Sequence, residues 1–332
     1  MWSPARRAIA VFTSVTLLAS CAAPLTREGR LGADDGSDSC RSQLVALDST
    51  GNFFAEDMLK GAAIGALGGA LVGGLAGGNW RGAAIGAGAG AAVGAAGGYL
   101  YAQQQRNRDQ ASLRAAVTSD LERENAELDR TQLAFDQLMD CRFRQAQQIR
   151  MAVGNGSMDR ATGQARMAQL RERTQREIAM AQSISQNINK RGAEFDTAVE
   201  SFAPGTVQTA AASARETPPR NVQLRRETPI HLRPDPASPE IGSVQPRQNV
   251  RAKPANNNFV LVETPSGQRG YVTRDAVANT RGLEAPARPT PAAVTGEPRS
   301  LAASNIARRD NFAESVTQAQ TASASGFELA AG

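Results

Sequence analysis

Apolar positions recur at helical spacing through the middle of this 332-residue chain. No Gly or Pro occurs between residue 103 and Gly154. Within that stretch Leu113, Val117 and Leu121 are four apart. Leu121, Leu128, Phe135 and Ile149 fall on multiples of seven, with Leu138 and Ala146 beside them. The spacing predicts one long amphipathic helix. Arg142 interrupts the stripe, so an ideal coiled-coil seam is not expected. The run Val153-Gly154-Asn155-Gly156-Ser157 is a turn signal. A second stripe follows it: Met167, Leu170, Thr174, Ile178, Ala181, Ile184, Ile188, Phe195, Ala198 and Phe202, stopping before Pro204-Gly205. Residues 103–203 therefore read as an antiparallel helical hairpin.

The rhythm changes on both sides of this hairpin. Downstream, 204–221 reads as a linker rich in Thr, Ala and Pro. Residues 222–279 then break into short strand-like pieces, PIHLRP, EIGSVQ, NVRAKPA, NFVLVETP and QRGYVT, separated by Pro, Asn, Ser and Gly. Five short strands in so few residues predict a small barrel. From 280 to 332 Pro, Ala, Ser and Thr dominate, and the composition predicts a disordered tail with at most a weak helix near 301–318.

Upstream, 57–102 is a ladder of small residues. Gly61, Gly65, Gly69, Gly73 and Gly77 form one series; Gly82, Gly86, Gly90, Gly94 and Gly98 form another, and GAAIGA at 61–66 recurs at 82–87. Each half, as a helix, would rise about 28–30 Å, close to a bilayer's hydrocarbon thickness. Five interior glycines would cost such a helix about 4–5 kcal/mol relative to alanine in water, so it survives only when packed. Small residues every fourth position let another backbone approach closely. Gly77-Gly78-Asn79-Trp80-Arg81 supplies a turn between the halves. Trp80 at one end and Tyr99 and Tyr101 at the other match interfacial positions of a helical hairpin. Three arrangements fit: a membrane-inserted hairpin, which the flanks favour, a hairpin packed outside the bilayer, and an oligomeric zipper lining a pore. The segment resembles the glycine-zipper hairpins of bacterial envelope lipoproteins and small membrane proteins.

The amino terminus begins with Arg6 and Arg7, then the apolar run AIAVFTSVTLL, then Leu18-Ala19-Ser20-Cys21. This order predicts a secretory signal peptide over 1–20. Cysteine directly after Leu-Ala-Ser resembles the lipobox of bacterial lipoproteins. The resemblance implies cleavage before Cys21, a diacylglyceryl thioether on it, and acylation of the new amino group. Ala22 after the cysteine implies the outer membrane, facing the periplasm. Residues 21–56 then read as a lipidated tether and a short lead-in. Two cysteines remain, Cys40 and Cys141, in a compartment expected to be oxidising. Left unpaired they are two unrelated thiols; joined, they would close a loop worth about 4–5 kcal/mol in the chain-entropy model.

In the strand-rich segment, His231-Leu232-Arg233-Pro234-Asp235-Pro236, Ile241-Gly242-Ser243-Val244, Val260-Leu261-Val262 and Gly270-Tyr271-Val272 resemble, in order, the motifs of bacterial SH3-like domains. Histidine stands where those domains carry asparagine, Phe259 lies near their usual tryptophan, and Pro246-Arg247-Gln248 lacks their usual glycine. The resemblance implies binding, often to peptidoglycan or peptide segments, with Arg233, Phe259, Arg269 and Tyr271 as candidate ligand-binding residues.

Composition narrows the function further. Aromatic residues are 5% of the chain, and the 41% hydrophobic share is largely alanine, which suits a segmented, mainly helical protein. Net charge is +5, carried by arginine since Lys60, Lys190 and Lys253 are the only lysines. That suits an anionic surface, and no dense basic patch with interleaved aromatics points to nucleic acid. His231 is the only histidine, metal-ligand spacing is absent, and no nucleophile motif occurs. The expectation is a non-enzymatic envelope lipoprotein without cofactor or metal. It would be anchored in membrane lipid and present its module to peptidoglycan or a periplasmic protein. The rivals are a homo-oligomeric channel-like or permeabilising assembly and a regulator of an envelope enzyme.

Overall fold

The computed structural model describes residues 27–55, 98–213 apart from 101, 105 and 108, 218–283 apart from 257, and 297–329. Cys21, the ten ladder glycines other than Gly98, and the signal segment lie outside the described residues. The described chain is mainly helical with one antiparallel sheet. Among the described residues no helix is long and apolar enough to cross a membrane.

We number the helices α1 (Arg27–Leu31), α2 (41–55), α3 (Gln110–Gly154), α4 (Arg160–Phe202), α5 (Thr206–Ser213) and α6 (Pro298–Ser325). α3 and α4 form the central hairpin. Each starts on an aspartate cap that fills an orphan amide: Asp109 accepts from the Ser112 amide at 2.8 Å and Asp159 from the Thr162 amide at 2.9 Å. The turn between them places Gly156 at φ +76°, a left-handed conformation that disfavours any side chain. α3 begins at Gln110 rather than 103: residues 98–100 and 102–104 are helical, while Asn107 and Asp109 are not. Both stripes face inward. Val117, Leu121, Leu128, Phe135 and Leu138 of α3 and Ile178, Ala181, Ile188 and Phe195 of α4 are buried.

Arg142, the residue that interrupts the stripe, is buried rather than solvated. Its Nη1 and Nη2 donate to the two oxygens of Asp38 at 2.6 and 2.8 Å, and its Nε donates to Glu177 at 2.9 Å while Nη2 reaches the second Glu177 oxygen. Beside it Cys141 is joined to Cys40 by a disulfide with a Cα–Cα distance of 5.9 Å. Burial works against charge on Asp38, but the Arg142 bonds and the Cys40 amide outweigh it and hold the carboxyl below its usual range.

Two expectations about chain ends are corrected here. The 21–56 tether is not free over its described part. Arg30 makes a two-pronged ion pair with Asp48, both bonds 2.8 Å, and Arg41 caps the Leu31 and Gly32 carbonyls. The 280–332 tail is not disordered over its described part either. α6 lies along both long helices. Phe312 meets Phe135 edge-on at 5.7 Å, Phe327 packs on Phe143, and Asn305 donates to the buried Asn125 side chain, which itself donates to the Leu301 carbonyl. Arg309 grips both oxygens of Asp196. Pro298 at the first turn starts this helix, and Leu301, Ala302, Phe312, Val316, Ala319 and Ala322 bury its contact face. Half of those apolar positions are alanine, and Asn305, Arg309 and Gln318 are buried beside them, so the apolar period is faint. The expected linker 204–221 likewise contains α5, packed against α6.

The strands are β1 (Arg220–Gln223), β2 (Thr228–His231), β3 (Glu240–Val244), β4 (Asn249–Pro254), β5 (Phe259–Glu263) and β6 (Arg269–Thr273). They form one antiparallel sheet in the order β1-β4-β5-β6-β2-β3. The sheet is open, which corrects the expected closed barrel: β1 and β3 remain as edges, and β2 meets β6 through a single pair, His231 with Tyr271, next to a register shift at Ile230/His231. The β3 edge is partly occupied by side chains, since Gln147 of α3 donates to the Glu240 carbonyl and Gln268 to that of Ile241. Gly270 sits where a side chain would collide with Ile230 and the His231 carbonyl. The sheet is docked on the helices, not carried loosely beside them: Arg233 pairs with Asp140 of α3, and Arg269 with Glu314 of α6 at 2.8 Å.

Candidate functional site

Where sheet meets helices, a cleft of about 300 Å³ opens between α3, α6 and the turn after β2. Its apolar wall includes Phe135, Met139 and Leu232; its polar groups include Asp136, Arg233, Asp235, Tyr271 and Gln318. The helical stripe of α3 supplies Phe135 and Met139, and the same turn carries Asp136 and Asp140, four residues apart on one face.

The charges are unevenly matched. Arg233 donates through Nε to Asp140 at 3.1 Å and through Nη2 to its other oxygen, whereas its Nη1 stands 3.8 Å from Asp136, beyond hydrogen-bond reach. Asp136 accepts one bond from the Gln132 amide at 2.9 Å. Burial pushes the Asp136 carboxyl up to about 6; Arg233 and the Gln132 bond oppose that rise, and Asp140 adds to it. Gln318, 3% exposed, donates to the Arg269 carbonyl at 2.6 Å, while its Oε1 is buried without a hydrogen-bond partner.

The structure brings Arg233 and Tyr271 together at this cleft and sets Arg269 beside it through Gln318. Phe259 belongs to the sheet interior, 4% exposed, with its ring edge-on to His231 at 6.0 Å. His231 is likewise structural in its contacts: Nδ1 donates to the Ser238 carbonyl at 3.0 Å. Asp136 and Gln318 escaped the sequence reading. The i,i+4 aspartate pair on the inner face of α3 was the available signal for the first. Nothing in sequence flagged Gln318, because it belongs to a helix whose apolar period is faint.

A second constellation surrounds the two ends of the glycine-rich segment. At its entry, the Arg191 guanidinium lies 4.8 Å from the Phe53 ring and 5.8 Å from Phe195, and its Nε donates to Glu124 at 2.7 Å. At its exit, the Tyr99 ring packs 4.8 Å from the same Phe195, and its hydroxyl donates to Asp120 at 2.7 Å. The Gln103 amide donates to that same Asp120 oxygen at 2.9 Å. Burial, then the Asp120 bond, holds the Tyr99 phenol protonated far above its ordinary range. Entry and exit thus share one seat on α4. α2 runs toward this seat from Arg41, the residue after the Cys40–Cys141 link, and the helical residues 98–100 and 102–104 lead from it back to Asp109. The amino-terminal end approaches the same flank, because Arg30 is bonded to Asp48, about one and a half helical turns before Phe53.

Comparison with known proteins supports the segment between these ends. Neither a curated protein nor a solved structure matched the chain. Residues 42–102 match the family described as YMGG-like Gly-zipper, which makes this stretch, a minor part of the chain, a glycine zipper.

Proposed function

We propose that this is a cell-envelope lipoprotein held to the membrane by acyl chains on Cys21 and by its glycine-zipper hairpin. The helical body and docked sheet then present a binding cleft to peptidoglycan or a periplasmic partner. The observation that carries the reading is the shared seat: on the two sides of the zipper Phe53 lies under Arg191 and Tyr99 packs on Phe195, and Arg191 also covers the Phe195 ring. A segment whose ends are stapled together favours a hairpin, in which two small-residue faces cover each other within one chain. This geometry favours the single-chain tether over a zipper shared among copies.

Glycine-zipper similarity over 42–102 is compatible with membrane association in the envelope. Five residues lie between Cys21 and Arg27, so the chain holds a lipid anchor at Cys21 within about 20 Å of Arg27. Asp136 follows Glu124 by twelve residues, which sets the cleft about 18 Å along α3 from the seat. The sheet keeps the order of motifs of SH3-like modules, and its role here is recognition at its junction with the helices. Ion pairs from Arg233 to Asp140 and from Arg269 to Glu314 hold it against the helices.

The test is mass spectrometry of the mature amino-terminal peptide together with fractionation of the envelope. The reading expects a peptide beginning at acylated Cys21 and the protein in the outer-membrane fraction. A mature chain with unmodified Cys21, recovered among soluble periplasmic proteins, would defeat it.

A further inference from the structure

We propose that the cleft between α3, α6 and the β2–β3 turn is a site for a primary ammonium group on an apolar stem, as in a lysine-type side chain of a peptide. The inference deepens the binding part of the reading above and does not depend on its membrane part.

The argument starts from what the cleft leaves unsatisfied. Asp136 has one hydrogen bond, from Gln132, and only a distant share of Arg233, which is committed to Asp140. Gln318 adds an amide oxygen that has no hydrogen-bond partner among the described residues but is shut off from the cleft, so the ligand's partner is Asp136. A carboxylate is an acceptor, so its missing partner is a donor, and a buried carboxylate calls for a cation. An ammonium carries three donors and no acceptor. Arg233 at the rim and Arg144, paired with Asp140 at 3.3 Å, face Asp136, Asp140 and Asp235, so with Asp136 ionised a further positive charge still meets a net negative site. The wall of Phe135, Met139 and Leu232 suits a methylene stem rather than a bare ion. A volume of about 300 Å³ is at the small end for ligand sites and fits one side chain, not a cofactor.

Asp136 must be ionised to hold the cation. It faces Asp140 on its own helix and Arg233 and Asp235 from the turn after β2; β6 presents the Tyr271 phenol and α6 presents neutral Ser315, Gln318 and Ala319 to the same cleft. With the carboxyl titrating near 6, about a tenth is ionised at pH 5 and nearly all at pH 7.5, so affinity should fall about tenfold between them.

The experiment titrates Nα-acetyl-lysine amide into the full chain in detergent, followed by calorimetry. Nα-acetyl-norleucine amide is the apolar control, and a peptide with an internal lysine separates a peptide source from a free amine. The expected result is saturable binding of the lysine probe at pH 7.5, about tenfold weaker at pH 5, at least tenfold weaker with Asp136→Asn, and absent for the norleucine probe. Tighter binding of the peptide identifies a peptide ligand; equal binding identifies a free amine, and either supports an ammonium site. No binding of the lysine probe, equal binding of the norleucine probe, or an unchanged Asp136→Asn protein with a native melting curve overturns it. None of these results bears on whether Cys21 is acylated.

Discussion

Replacing Arg142 with methionine should destabilise the helical body far more than an ordinary surface change. The side chains of Arg142 and Glu177 are 1% and 6% exposed, and Asp38 is 15% exposed. Removing the guanidinium strands Glu177 as a buried carboxylate, while Asp38 keeps a route to water. Breaking a buried pair from one side costs about 3–5 kcal/mol. For a body of this size each kcal/mol moves the midpoint about 2–4 °C, so the melting temperature should fall by about 6–20 °C. Circular dichroism of the full chain in detergent reads this directly.

The same reasoning fixes the pH dependence. In the variant an unpaired, buried Glu177 has a folded-state pKa above its unfolded value, so protonation favours the fold. The deficit should be smaller at pH 5 than at pH 7.5, growing as pH rises above the unfolded carboxylate pKa of about 4.3. Adding Glu177→Leu should recover most of the loss, since an apolar replacement of a buried pair is often neutral. A single variant within about 1 kcal/mol of the parent at pH 7.5, below the range for a broken buried pair, would refute the clamp.

Three further outcomes follow from the packing. Phe312→Ala should cost about 3–5 kcal/mol in chemical denaturation, because Phe312 is 1% exposed against Phe135; a disordered carboxy-terminal segment would show no loss. Replacing Cys40 and Cys141 together with serine should lower stability by about 4–5 kcal/mol and abolish the mobility shift on a non-reducing gel. Glu194→Gln should flatten the pH profile near neutrality. Burial raises the Glu194 carboxyl to about 7, against Arg191 and the Tyr99 backbone and with Glu124. The parent therefore loses stability as pH climbs from the unfolded value toward 7, and the glutamine variant should not.

The central hairpin was legible because its signals are local: two apolar stripes and a Gly-Asn-Gly turn. Five of the six short strands were legible for the same reason; β1, half of it inside the expected linker, was not. Closure of the sheet was not, because it depends on the two edge strands β1 and β3 meeting, a long-range pairing that no local pattern encodes. The carboxy-terminal helix was hidden because small alanines and buried polar residues such as Asn305 and Arg309 interrupt its few large apolar side chains, Leu301, Phe312 and Val316. Arg142 was readable only as a break in a pattern; its meaning, a dock for Asp38, Glu177 and the Cys40–Cys141 link, required partners far apart in sequence. Two of the candidate ligand residues, Arg233 and Tyr271, reach the cleft. Its buried acceptors Asp136 and Gln318 come from segments that the sequence reads as a helical hairpin and a disordered tail.

The common seat of the zipper's two ends makes a direct demand on the molecule. Residues 57–97 can be replaced by a short Gly-Ser linker, alone and together with Cys21→Ser, and each protein extracted from membranes with carbonate at high pH. The account predicts that the linker protein keeps the parent's melting temperature, that the Cys21→Ser chain with its zipper stays in the pellet, and that the chain lacking both is released. An unfolded linker protein, or release of the Cys21→Ser chain despite its intact zipper, would contradict it.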